Sequence, residues 1–152
     1  MKQSVERLGC CFLVKIIRLE NVCLFWLTII IRKLNSMIHV AIIDDDPMVL
    51  NLISLILRDE QFKVTTISSA SQALTLLPQT VPDVICCDLM MPGMSGIDFL
   101  KARRQESVLV DVPVIIISGS GSEHLFQQAE RLGSFDILIK PFNSEKLITA
   151  IQ

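Results

Sequence analysis

VICCDLMMPGMSGIDFL, residues 84–100, decides how this chain is read. A short apolar run ends on a single carboxylate, Asp88. Pro92-Gly93 then marks a turn, and Ser95 opens a helical stretch. The order is strand, turn, helix, with an acid where the strand stops.

The same unit recurs on both sides. Apolar runs rich in Val and Ile at 38–43, 62–67, 83–87, 113–117 and 135–139 have strand length. Helical patterns lie between and after them, at 48–57, 69–77, 95–105, 123–132 and 144–151. In the first helix, positions 49, 52, 53, 56 and 57 form the expected apolar face. Asp46 before Pro47 reads as a cap with proline at the first helical position. Gly133 is expected to close the fourth helix, and Asn143 or Ser144 to cap the fifth. Five βα units in succession imply an α/β fold: a doubly wound, five-stranded parallel sheet with right-handed crossovers. In such sheets functional groups gather beyond the carboxyl ends of the strands.

Composition agrees. The 152 residues are 51% hydrophobic but only 5% aromatic, so aliphatic side chains carry the core. The net charge of −2 is unevenly spread. Residues 1–36 hold six basic and two acidic residues, net +4; the rest hold eight basic and fourteen acidic, net −6. An acidic body lacks the clustered Lys and Arg of a nucleic-acid surface, so no direct nucleic-acid binding by this chain is expected. Five cysteines without CxxC or CxxH spacing read as reduced thiols, which places the protein in the cytoplasm. Cys86 and Cys87 are expected in the core.

Residues 1–36 form a separate N-terminal apolar and basic extension, and 37–152 the domain proper. The longest apolar run of the extension, 22–31, is shorter than the 18–20 or so residues that span a bilayer. The extension is read as an upstream reading-frame addition before a true start at Met37, or as a poorly ordered tail. A basic segment resting on a membrane or partner, and palmitoylation at Cys10 and Cys11, are the alternatives.

The strand ends carry Asp44, Asp45 and Asp46 after the first, Asp88 after the third, Ser118 after the fourth, and Lys140 with Pro141 after the fifth. Several carboxylates at one edge repel each other and call for a cation. Oxygen ligands of this kind suit Mg²⁺, and Lys140 adds a second positive group. A metal, a lysine, a hydroxyl and a spare carboxylate are the equipment of phosphoryl transfer. Asp46 is read first as a helix cap.

With these residues the chain resembles the response-regulator receiver domains of two-component signalling. The resemblance rests on IIDDDPMVL (42–50), VICCDLMMPGMSGIDFL (84–100), PVIIISGSG (113–121) and ILIKPF (137–142), and covers about residue 37 to the end. It implies the flavodoxin-like receiver fold with sheet order 2-1-3-4-5, the order the doubly wound class is known for. Asp88 would accept phosphate from the phosphohistidine of a sensor histidine kinase or phosphotransfer protein. Asp44, Asp45, Asp88 and the Met90 backbone carbonyl would hold Mg²⁺. Lys140 would pair with Asp88 and then with a phosphate oxygen, Ser118 would bond the phosphoryl group, and Lys140–Pro141 would be cis. The module would be no enzyme beyond its own phosphorylation and autodephosphorylation, and would switch an effector protein or an output domain. Ile137 departs from the family pattern, which has Tyr or Phe there. Two rivals stand beside this reading: a phosphorylation-independent interaction module, and a haloacid-dehalogenase-type phosphatase built on Asp44, Asp46, Ser118 and Lys140.

Overall fold

The computed structural model describes residues 37–119 and 123–152. The expectations for residues 1–36 therefore lie outside the described residues. Residues Met37–Gln152 form one compact unit.

Five strands alternate with five helices: β1 (His39–Ile43), α1 (Pro47–Asp59), β2 (Lys63–Ile67), α2 (Ala70–Thr80), β3 (Val84–Asp88), α3 (Gly96–Arg103), β4 (Val114–Ser118), α4 (Glu123–Arg131), β5 (Asp136–Ile139) and α5 (Ser144–Ile151). All strand pairs are parallel, in the expected order β2-β1-β3-β4-β5. Alternation along each strand sorts the side chains into two layers. Ala41, Ile43, Ile85, Cys87, Val114 and Ile116 face α2, α3 and α4, against Ala73, Leu77, Phe99, Leu100 and Ala129. Val40, Ile42, Cys86, Ile115, Ile117 and Leu138 face α1 and α5, against Ile53, Leu57, Leu147 and Ile151. Both cysteines are buried in these layers, and burial pushes the Cys86 thiol up to about 12.

Local chemistry starts and stops the helices as the sequence indicates. The Asp46 carboxylate accepts from Met48 N at 2.8 Å, Ser69 and Asn143 cap α2 and α5, and Ser95 with Asp98 makes a capping box on α3. After α4, Gly133 adopts φ +78°; Gly133 N donates to Glu130 O and Ser134 N to Ala129 O, a Schellman closure.

Three expectations shift. Asp88 and Ser118 are the last residues of β3 and β4 rather than the first beyond them, because each still pairs across the ladder, with Ile117 and Ile139. α2 runs three residues past Leu77, with Pro78 inside it, and Val81 N–H closes the turn on Leu77 O at 2.8 Å. The buried stripe of α1 is Leu50, Ile53, Ser54 and Leu57, whereas Leu52, placed on the core face, is exposed. That helix is apolar almost all round, so spacing alone does not choose which face the sheet covers. No helix among the described residues is long and apolar enough to cross a membrane.

Candidate functional site at the strand ends

The carboxyl ends of β1, β3, β4 and β5 bring together residues as far as 96 apart in sequence. Asp44 follows β1, and register aligns it with the end of β3, since Ile43 pairs with Cys87. Asp88 ends β3, Ser118 ends β4, and Lys140 follows β5. Lys140 N donates to Ser118 O at 2.7 Å, which fixes the start of the lysine loop to the end of β4. The Lys140–Pro141 bond is cis, as expected.

Lys140 Nζ lies 2.8 Å from Asp44 Oδ2 and 2.8 Å from Asp88 Oδ1. One ammonium therefore bridges two buried carboxylates. The sequence pointed to the pairing with Asp88; the second half of the bridge, to Asp44, it did not reveal. Each remaining carboxylate oxygen takes a backbone N–H: Asp88 Oδ2 from Met90 at 2.6 Å, and Asp44 Oδ1 from Asp46 at 2.9 Å. Ser118 is buried at the same edge. Asp45 is exposed and takes no part in this bridge.

Burial raises the Asp88 carboxyl above its ordinary value, against the hydrogen bond and charge of Lys140 and the Met90 N–H bond; the Asp44 charge adds to the rise. Burial also acts to lower the Lys140 ammonium, but its hydrogen bonds and charge contacts with Asp44 and Asp88 together outweigh that and leave it raised. The site holds two acids to one base. A further cation has a physical reason to bind.

Among the described residues, no three His, Cys, Asp or Glu side chains stand close enough to form a metal cluster. Mg²⁺ does not require one, since it commonly takes one or two carboxylates and completes its shell with carbonyl oxygen and water. Asp88, the exposed Asp45 and the backbone carbonyl of the exposed residue Met90 offer donors of that chemistry.

A family model described as the response regulator receiver domain matches residues 40–152. The DNA-binding response regulator MtrA of Mycolicibacterium smegmatis is 31% identical over 114 residues, which is 75% of this chain and 49% of that protein. The chain thus spans about half the length of that relative. Among solved structures, the chemotaxis protein CheY4 of Vibrio cholerae is 31% identical, with a TM-score of 0.73, covering 77% of this chain and 98% of that one. The receiver domain of the sensor histidine kinase PA1611 of Pseudomonas aeruginosa, solved with magnesium in its active-site cleft, has a TM-score of 0.71 at 22% identity. It covers 77% of this chain and 96% of that one, and that likeness shows the fold.

Proposed function

The chain belongs to the response regulator receiver domain family of two-component signalling, and from that premise we propose that Asp88 is its phosphoacceptor. The observation that carries the reading is the Lys140 bridge, 2.8 Å to each of Asp44 and Asp88. An Asp88 oxygen forms the new bond to phosphorus while the bond from phosphorus to the donor nitrogen of a phosphohistidine breaks. Lys140 holds that carboxylate beforehand and then takes a phosphoryl oxygen as partner. The Ser118 hydroxyl, buried at the adjacent strand end, bonds the phosphoryl group.

Asp44, Asp45, Asp88 and the Met90 carbonyl are the residues that would hold Mg²⁺, whose charge, when bound, offsets that of the phosphoryl oxygens. The magnesium reported for the PA1611 receiver is in keeping with this. We take residues 37–152 as the functional module and 1–36 as a separate extension. Its phosphodonor is a sensor kinase or phosphotransfer protein, and its output is altered affinity for an effector or output domain.

Intact mass after incubation with acetyl phosphate, with and without Mg²⁺, tests the reading. One Mg²⁺-dependent phosphoryl group is expected on the wild type and none on Asp88→Asn. Equal labelling of Asp88→Asn would move the nucleophile elsewhere. No labelling of either chain would favour an interaction module that works without phosphate.

A further inference from the structure

We propose that Gly96 is a positioning residue for the phosphoacceptor, and that its missing side chain sets the place of the Asp88-Leu89-Met90 backbone. The proposal deepens the function proposed above and rests on it.

Gly96 is the first residue of α3 and is buried. Its N–H donates to Leu89 O at 3.0 Å, which closes the loop between β3 and α3. A Cβ built on Gly96 would fall inside van der Waals contact of the Asp88 carbonyl oxygen, 3.0 Å from Leu89 Cα and 3.2 Å from the Asp88 carbonyl carbon. All three are backbone atoms, so no flexible side chain can swing aside. Gly93, in the same loop, is a different case: it has φ +80°, and a Cβ there would meet nothing within 4 Å. Gly93 supplies a backbone conformation, and Gly96 supplies space.

The added atom would have to move either the helix or the loop. The helix is held on three counts. Ser95 and Asp98 form the capping box, Phe99 and Leu100 are fully buried, and Arg103 donates to four backbone carbonyls at the far end. The segment facing the helix is tied to β4, through the Asp88–Ile117 pairing and Leu89 N donating to Ile117 O at 3.0 Å, so any shift there falls at the site. That segment carries Asp88, whose carboxylate is set by Lys140 at 2.8 Å and by Met90 N at 2.6 Å, and the Met90 carbonyl. Displacing a reacting group by about an ångström can cost about a hundredfold in rate.

The test uses the full chain with Gly96→Ala beside Ser95→Ala, which removes a cap without adding an atom near Asp88. Thermal unfolding, Mg²⁺ titration and the rate of labelling by acetyl phosphate are read on each. Gly96→Ala is expected to stay folded but lose at least about tenfold in Mg²⁺ affinity and labelling rate. Ser95→Ala is expected to unfold at a lower temperature and keep both within about twofold. Wild-type affinity and rate in Gly96→Ala, or an equal loss in Ser95→Ala, would overturn the proposal. Should Gly96→Ala not fold, the wild-type Gly96 amide resonance is followed during Mg²⁺ titration. It should shift in step with Met90, and a Gly96 signal that stays still while Met90 moves overturns the role. A wild-type chain that takes up neither Mg²⁺ nor phosphate removes the underlying function and this proposal with it. A competent wild type with an unaffected Gly96→Ala removes the positioning role alone.

Discussion

His39 and Lys140 show how a single residue's surroundings decide what it can do. Lys140 is held raised by two acids and stays charged where its ammonium is needed. His39, buried at the other end of the sheet, is pushed the other way. Burial lowers it first, the Lys63 charge lowers it further, and Asp83 opposes both. Its Nε2 lies 2.8 Å from Thr65 Oγ1, a bond that the neutral ring can make. The unfolded chain therefore binds a proton at a higher pH than the folded one does. Stability should rise with pH from the folded value up to the unfolded value of about 6.5, then level off. The slope is at most one proton, about 1.4 kcal/mol per pH unit. Urea unfolding at pH 5, 6, 7 and 8 should show the wild type losing more stability toward pH 5 than His39→Gln, in which the amide can keep the Thr65 bond. Parallel curves would assign that proton to another group.

Among the elements, α3 is fastened at both ends. Its first residue abuts the Asp88 backbone, and its last, Arg103, is buried and forms no salt bridge among the described residues, with the Asp111 charge acting on it from farther off. Arg103 Nη1 donates to Leu109, Val110 and Val112 carbonyls at 2.9–3.2 Å, and Nη2 to Gly133 O at 2.8 Å. The guanidinium so ties the connection before β4 and the turn before β5 to one helix. Burial lowers its pKa, yet guanidinium stays protonated in proteins, so the clamp holds at any working pH. Arg103→Met would take this donor from the Val110, Val112 and Gly133 carbonyls, at about 1–3 kcal/mol for each that finds no water, while Leu109 O keeps Val112 N as its donor. A total loss of about 3 kcal/mol or more is expected in urea unfolding, with faster amide exchange confined to residues 109–112 and the turn at 133–134. A loss below about 1 kcal/mol would mean that water replaces the clamp.

On the scale of the molecule, the two apolar layers meet through one five-stranded sheet, so residues 37–152 should fold as a unit. The fragment 37–152 produced alone is expected to unfold in a single cooperative urea transition and to accept phosphate at Asp88. A fragment without a cooperative transition would place part of the folding unit in residues 1–36. The same body carries a net charge of −6.

The sequence by itself determined what depends on neighbours along the chain. Apolar runs and helical spacing located the five strands and five helices of the described residues, a polar cap and a glycine located helix ends at Asp46 and Gly133, and chain order put Asp44, Asp88, Ser118 and Lys140 at one edge. The motifs at 42–50, 84–100, 113–121 and 137–142 together pointed to the family, the stretch at 84–100 most specifically. Tertiary structure decided what depends on approach between distant segments. The strand ends at Asp88 and Ser118 are set by ladder partners, and the buried face of α1 by the sheet beneath it. The sharing of Lys140 between acids 96 and 52 residues away, the burial of Arg103 and the tight fit at Gly96 have no local signature. Periodicity reports which way a side chain points along its own element, and only packing brings the atoms of two elements into van der Waals contact.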